Sequence, residues 1–184
     1  MMEIRNQNLV KRALMLSAVA SGSLLAGAHL FEAAGYLPCQ LCLDQREAHW
    51  AALALAVAGT ALTFFDRMRV AAAAAIGAIA FIYALSAGLA FYHTGVEYGY
   101  FPAYGCETGA ASLEHITTAD FAAAFAGETS TASCSDPAWR MFGISMAGYN
   151  FLISSGLFVI CLGAAVTTTR HFRVGPEGEH SFAS

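Results

Sequence analysis

Four uninterrupted apolar stretches, each close to the length of a membrane-spanning helix, constrain this chain most. They cover residues 13–31, 48–65, 70–92 and 142–166, and none contains Asp, Glu, Lys or Arg. A helix needs about 20 residues to cross a hydrocarbon core of about 30 Å. Because 57% of the 184 residues are hydrophobic and only 12% are charged, a soluble domain of this size could not bury its apolar surface. The pattern predicts an all-α membrane protein, a four-transmembrane-helix bundle forming one domain over residues 1–184.

The basic residues predict the orientation of this bundle. Seven of the nine fall on one side of it: Arg5, Lys11, Arg12, Arg67, Arg69, Arg170 and Arg173. By the positive-inside rule this side is cytoplasmic. Both termini then lie in the cytoplasm, and two periplasmic loops cover about residues 32–47 and 93–141. A cleaved signal peptide is the alternative for the first stretch, but residues 13–31 exceed the roughly 7 to 15 apolar residues of such signals.

The charge pattern also bears on partners. The net charge is −4, and the sequence has no cluster of Lys and Arg of the kind that binds nucleic acid. We therefore expect membrane lipid around the chain and no nucleic acid partner.

The predicted topology sorts the five cysteines. Cys39, Cys42, Cys106 and Cys134 fall in the two outer loops, whereas Cys161 lies within the fourth apolar stretch. An even number of thiols on the oxidising side of a membrane favours disulfides over a reduced metal site. We expect Cys161 to be an inert apolar residue.

Cys39 and Cys42 form a CxxC motif just before the second predicted helix. The N-terminal end of a helix favours a thiolate. A ring closed across two intervening residues restricts the unfolded chain very little, so this spacing favours thiol–disulfide exchange over a structural staple. A zinc site is another alternative, with His29 and His49 near the same membrane face. A second ligand pair at CxxC spacing is missing, however, and we predict no metal site.

Cys106 and Cys134 enclose a loop of about 28 residues. Taken alone, they would be interpreted as a structural staple. Beside a CxxC motif their interpretation changes, because two disulfides within reach of one another exchange electrons through mixed disulfides.

Arg46 follows Cys42 by four positions, about one helical turn, and therefore points in the same direction. An arginine whose guanidinium extends to the membrane interface is the alternative interpretation. The functional one is that its cation stabilises the Cys42 thiolate and polarises the carbonyl of an electron acceptor between the helices. Disulfide formation must deposit two electrons somewhere, and a lipid-soluble quinone is reachable from this depth.

These features together resemble the DsbB family of bacterial disulfide bond formation proteins, over about residues 12–170. The resemblance rests on Pro38-Cys39-Gln40-Leu41-Cys42 with Gln45-Arg46, on His93-Thr94, and on the segment from Cys134 through Trp139 to Met146. In the related vitamin K epoxide reductase type the loop cysteines precede the CxxC motif, so the order here favours DsbB. The family implies a site in the bacterial inner membrane that links a periplasmic DsbA-like thiol oxidase to the membrane quinone pool.

The resemblance also implies a role for each cysteine. A thiolate of the DsbA-like partner would attack Cys106 of a Cys106–Cys134 disulfide, and the released Cys134 would attack Cys39. Cys42 would remain as the thiolate that contacts the quinone, either ubiquinone or menaquinone. Arg46, His93 and Trp139 are the implied quinone-binding residues, although a histidine or tryptophan at the end of a span is also typical of any membrane interface.

The chain departs from the family in two places. Ala147 stands where some members carry proline, and residues between Cys106 and Cys134 offer little that matches. Two other classes of function stay open at this point. One is a non-enzymatic four-helix membrane protein with structural disulfides, and the other is an outward-directed thiol reductase or isomerase.

Overall fold

The computed structural model describes residues 2–104 and 133–173. In this part of the chain, four helices dominate: α1 (Met2–Ala33), α2 (Gln40–Leu62), α3 (Arg69–Glu97) and α4 (Met146–Arg173). A 3₁₀ turn at Asp66–Met68 joins α2 to α3, and two short strands, β1 (Arg140–Met141) and β2 (Ile144–Ser145), precede α4. The all-helical architecture predicted from the apolar stretches is therefore confirmed.

Three of these helices are long and apolar enough to span a membrane: Asn8–Ala33, Arg69–Glu97 and Met146–Thr169. Among the described helices, α2 is not apolar enough over a sufficient length to join this group, because its first two turns carry Asp44, Arg46 and Glu47. It begins eight residues before the predicted stretch at 48 and ends at Leu62. Exactly four spans, and the orientation of the termini, therefore stay predictions.

The fourth predicted span, 142–166, is wrong at its start, because residues 142–145 complete a β-hairpin and α4 begins at Met146. Arg140 pairs with Ser145 and Met141 with Ile144 in antiparallel register. The two linking residues, Phe142 and Gly143, both have positive φ, of 53° and 80°. Positive φ at both positions is the geometry of a two-residue type I′ turn, which matches the twist of the strands.

The bundle is closely packed inside and apolar outside. Its main core brings together side chains from all four helices, among them Leu14, Ala56, Ile76 and Leu157. A Cβ on Gly59 would lie 2.9 Å from Leu14 Cδ2, so the missing side chain allows α1 and α2 to approach closely. Large apolar residues line the outer surface, as expected where helices contact lipid tails rather than water.

Candidate functional site

The CxxC motif lies where α2 begins. Cys39 is the N-cap residue in extended conformation, and its Sγ accepts a hydrogen bond from the Cys42 backbone N–H at 3.3 Å. The thiol of Cys39 also donates to Cys42 Sγ, with the two sulfurs 2.8 Å apart. Both cysteines are free, so the structure holds the motif as a reduced pair. Pro38 precedes the pair without disturbing the helix, because it stands before the first turn.

The two sulfurs differ in their affinity for a proton. The hydrogen bond from Cys39 lowers the pKa of Cys42, to which Arg46 adds a smaller electrostatic contribution in the same direction. The same hydrogen bond, together with burial, raises the pKa of Cys39. A hydrogen bond to the charged form of an acid favours that form. Cys42 is therefore the more acidic sulfur of the pair, and Cys39 is the one that retains its proton more strongly.

The cysteine of the long outer loop packs against this pair. Cys134 is buried and disulfide-bonded, and it shares an apolar cluster with Cys39, Leu41 and Val96. Cys106, its expected partner, lies outside the described residues, so the Cys106–Cys134 pairing stays a prediction. The loop cysteine and the CxxC motif meet at the same end of the bundle, as exchange between them requires.

His93 lies between these two sulfur centres. Its Nε2 is 3.5 Å from Cys39 Sγ, and its ring is hydrogen-bonded to the backbone of Cys134. On the same side of the ring, Glu97 Oε1 lies 3.7 Å from Nε2. His93 is 3% exposed, so it is a buried neighbour of Cys39.

Arg46 reaches from α2 to α1. Its Nη1 lies 2.6 Å from Glu32 Oε2, and its Nη2 donates to the Ala28 carbonyl at 3.2 Å. The side chain is 15% exposed. The guanidinium is thus held in place by α1 while it lowers the pKa of Cys42 from nearby.

A cavity of about 240 Å³ opens beside the CxxC motif, and its walls come from α1, α2, α3, α4 and the segment before β1. Cys42, Arg46 and His93 are among its lining residues, together with apolar side chains such as Leu24 and Phe31. Trp139 stands next to this wall: its ring centroid is 5.6 Å from that of Phe31. A largely apolar cavity with a few convergent polar groups is the usual form of a small-molecule site.

Several polar side chains of this region were not singled out as site residues from the sequence. Gln45, Asn150 and His49 line the cavity and are hydrogen-bonded to one another. Glu97 is buried at the end of α3 and accepts a hydrogen bond from the Ser145 hydroxyl. The signal that could have found Asn150 is its position inside an apolar stretch, because a polar side chain at membrane depth is costly unless it has a role.

Cys39, Cys42 and His93 lie close enough together to be candidate metal ligands. Ligand atoms of Cys39, Cys42 and His93 all lie within 4.8 Å of one another. Two thiolates bound to one tetrahedral zinc ion, with Zn–S bonds of about 2.3 Å, would be roughly 3.7 Å apart. The two sulfurs here are 2.8 Å apart, closer together than two thiolates bound to one zinc ion.

Comparison with known proteins adds one finding. The family model for "Disulfide bond formation protein DsbB" matches residues 10–164, which is most of the chain. No curated protein and no solved structure matches the chain.

Proposed function

This chain belongs to the DsbB family of disulfide bond formation proteins, and we propose that it reoxidises a periplasmic DsbA-like dithiol protein by passing two electrons to a membrane quinone. The observation that carries this proposal is the asymmetric CxxC pair, whose low-pKa sulfur, Cys42, faces a cavity between the helices. A loop cysteine, Cys134, packs against the other sulfur. One face of the pair thus serves exchange with a protein, and the other serves a small acceptor.

Electrons enter through the outer loop. A thiolate of the reduced partner attacks Cys106 of the proposed Cys106–Cys134 disulfide, and Cys134 leaves as a thiolate. Cys134 then attacks Cys39 of an oxidised Cys39–Cys42 pair, which breaks that S–S bond and releases Cys42 with the electron pair. The low pKa of Cys42 supports this direction, because a sulfur of lower pKa leaves faster.

The lining of the cavity supports a quinone as the electron acceptor. Apolar side chains of α1 form part of its wall, while Arg46 provides hydrogen-bond donors for a carbonyl oxygen. A bound quinone would accept the two electrons and two protons. Arg46 holds a cation beside the Cys42 thiolate, and its contacts with Glu32 and Ala28 keep it oriented. Ubiquinone and menaquinone both present such carbonyls, so this chemistry serves either one.

The acceptor must be strongly oxidising. A DsbA-type partner has a potential near −120 mV, and for a two-electron couple about 30 mV corresponds to about 1.4 kcal/mol. Ordinary structural disulfides lie far below this potential, so an internal disulfide alone would not reoxidise the partner. A quinone pool in the surrounding bilayer supplies the missing oxidising power.

We also propose that all four helices cross the bacterial inner membrane, with α2 contributing its apolar part after Glu47. The CxxC motif and Cys134 then lie at the periplasmic end, and Arg67 and Arg69 lie at the opposite, cytoplasmic end. Packing of α2 residues such as Ala52 and Ala56 in the main core supports this arrangement.

Anaerobic quinone reduction by the purified protein in detergent tests the proposal. With a reduced DsbA-like partner, we expect loss of quinone absorbance that disappears in Cys42→Ser and persists in Cys161→Ser, the control at the free cysteine remote from the cavity. A folded protein that reduces no quinone would favour structural disulfides without enzymatic activity. Electron flow from quinol to an oxidised partner would instead identify an outward-directed reductase.

A further inference from the structure

Four polar side chains, three of them buried and Asn150 half-buried, form a hydrogen-bonded series that runs through the bundle and ends at the CxxC motif; we call it the amide chain. His49 Nε2 lies 2.8 Å from Asn150 Oδ1, Asn150 Nδ2 lies 2.6 Å from Gln45 Oε1, and Gln45 Nε2 lies 2.8 Å from His93 Nδ1. His93 Nε2 then reaches Cys39 Sγ at 3.5 Å. Gln45, His49 and His93 are at most 6% exposed. Polar groups buried in this way among membrane helices are costly to leave unpaired, and here each one has a partner.

The side-chain amides of Gln45 and Asn150 fix the direction in which the hydrogen bonds of the amide chain are donated. Gln45 Oε1 accepts from Asn150, so the NH₂ group of Gln45 faces His93 Nδ1, which must accept. The proton of a neutral His93 ring is therefore on Nε2. At the other end, Asn150 Oδ1 accepts from the Ser154 hydroxyl as well as facing His49 Nε2. Every donor in the chain thus points toward Cys39.

The surroundings of His93 Nε2 lead to the same assignment independently. That nitrogen lies 3.5 Å from the sulfur of Cys39 and 3.7 Å from a carboxylate oxygen of Glu97, and the ring is also hydrogen-bonded to the backbone of Cys134. The sulfur and the carboxylate are acceptors when ionised, so beside a Cys39 thiolate an Nε2–H has partners that an unprotonated nitrogen would lack. The amide chain behind the ring and the acceptors in front of it require the same tautomer.

We propose that Gln45, Asn150 and His49 are positioning residues that hold His93 as the Nε2–H tautomer, and that this N–H stabilises the thiolate of Cys39. Hydrogen bonds in an aligned chain polarise one another, so the donors behind His93 strengthen the last bond. This inference rests on the proposed function and concerns a different sulfur from the one that faces the acceptor. Arg46 serves Cys42, whereas the amide chain serves Cys39.

A Cys39 thiolate arises in the return half of the exchange. The second thiolate of the DsbA-like partner attacks the mixed disulfide between the partner and Cys106, so the oxidised partner leaves and Cys106 is freed as a thiolate. That thiolate then attacks Cys134 within a Cys39–Cys134 disulfide. The Cys106–Cys134 bond forms, the Cys39–Cys134 bond breaks, and Cys39 leaves with the electron pair. One S–S bond replaces another in this step, so it needs no external oxidant. Because Cys39 is buried and has a raised pKa in the resting pair, a donor aimed at its sulfur lowers the barrier to this departure.

Gln45→Glu tests the proposal with almost no change in shape. A carboxylate accepts at both ends, so the His93 proton should move to Nδ1 and leave a lone pair on Nε2 facing Cys39. Nitrogen-15 NMR of histidine-labelled protein distinguishes the two tautomers, and His93→Gln identifies the signals. In a Cys42→Ser background, we expect iodoacetamide to modify Cys39 about tenfold more slowly at neutral pH, which corresponds to one pKa unit.

Two further variants distinguish the effect of the His93 tautomer from the effect of the negative charge that Gln45→Glu adds. Asn150→Leu is neutral and removes the donor that fixes the Gln45 amide, so we expect a mixture of both His93 tautomers and slower Cys39 modification. Ser86→Ala is the matched control, because Ser86 is buried and contacts only the hydroxyl of Ser154 in this network. It should keep the Nε2–H tautomer and the original rate of Cys39 modification.

Neither measurement uses quinone or a partner protein, so both are independent of the proposed function. A wild-type His93 proton on Nδ1 would overturn the proposal, as would an unchanged Cys39 rate in Gln45→Glu and Asn150→Leu. Quinone reduction that fails while the tautomer and rates follow expectation would count against the proposed function and leave the amide chain supported.

Discussion

The two ends of the bundle hold free cysteines in very different surroundings. At the CxxC end, Cys42 lines a cavity and accepts a hydrogen bond from a second thiol. Toward the other end, Cys161 is fully buried among close-packed helices, with the Ser17 hydroxyl 3.3 Å away as its polar contact. The residue type is the same, but only the first site has a helix N-terminus, a second sulfur and a nearby cation.

This difference predicts how the reactivity of the cysteines is distributed in the molecule. The apolar core needs small residues that allow helices to approach, such as Gly59, and gains nothing from charge. The CxxC end is less closely packed, because it contains a cavity and hydrogen-bonded polar side chains. Reactivity of a cysteine follows its thiolate character and its accessibility, so we expect the two ends to differ in chemistry far more than in stability.

The largest expected effect is a difference in thiol modification. When reduced protein is treated with iodoacetamide at pH 7, Cys42 should react at least about a hundredfold faster than Cys161, because Cys42 lines the cavity whereas Cys161 is fully buried. The rate at Cys42 should rise with pH through a midpoint below the ordinary cysteine value of about 8.5, because its pKa is lowered. Peptide mass spectrometry at several pH values measures both rates. Equal rates at the two sites would remove the proposed contrast.

The next effect concerns the cation at the CxxC end. Arg46→His should raise the apparent KM for quinone by roughly tenfold, because a charge-assisted contact to the acceptor is lost. Arg140→Gln is the control, since Arg140 lies over the Tyr98 ring, and should leave KM unchanged. Steady-state quinone reduction at varied quinone concentration measures both. An unchanged KM in Arg46→His would remove Arg46 from the acceptor site.

A third substitution tests the packed core. The Cβ of Gly59→Ala would lie 2.9 Å from Leu14 Cδ2 and 3.1 Å from Ala75 Cβ, so overpacking should lower the free energy of unfolding by about 1–3 kcal/mol. Gly77→Ala is matched to it, because a Cβ there meets nothing within 4 Å. That variant should be unchanged or slightly more stable. Thermal unfolding in detergent compares the two, and equal stability would contradict close packing at Gly59.

The two ends also differ in how far the sequence predicts them. Apolar stretches predict the helices because membrane helices must satisfy their own backbone hydrogen bonds. The position of the CxxC motif at the start of α2 follows from Cys39 and Cys42 standing just before such a stretch. The β-hairpin before α4 was missed, because Phe142 adopts positive φ, which is rare for a residue with a bulky side chain.

The amide chain lies beyond what the sequence alone could predict. Gln45 and Asn150 are 105 positions apart, and their contact depends on the rotation of α2 and α4 about their axes. Hydrophobic periodicity is weak where a helix is apolar on all sides, so it does not fix that rotation. Arg46, in contrast, could be assigned to the side of Cys42 because four residues make about one helical turn.

The smallest expected effect tests whether the amide chain ends at His49 or continues to Tyr83. Tyr83 is buried, and its hydroxyl lies 2.9 Å from Ser21 Oγ, which in turn contacts His49 Nδ1 at 3.2 Å. Tyr83→Phe should lower stability by about 0.6 kcal/mol, the average for a hydrogen bond between membrane helices. Because the directed chain begins at His49, its donors toward Cys39 remain, and quinone reduction should be unchanged. Slower turnover in Tyr83→Phe, with the His93 tautomer altered, would show that the chain extends through Ser21 to Tyr83 and that the reactive end reaches into the core.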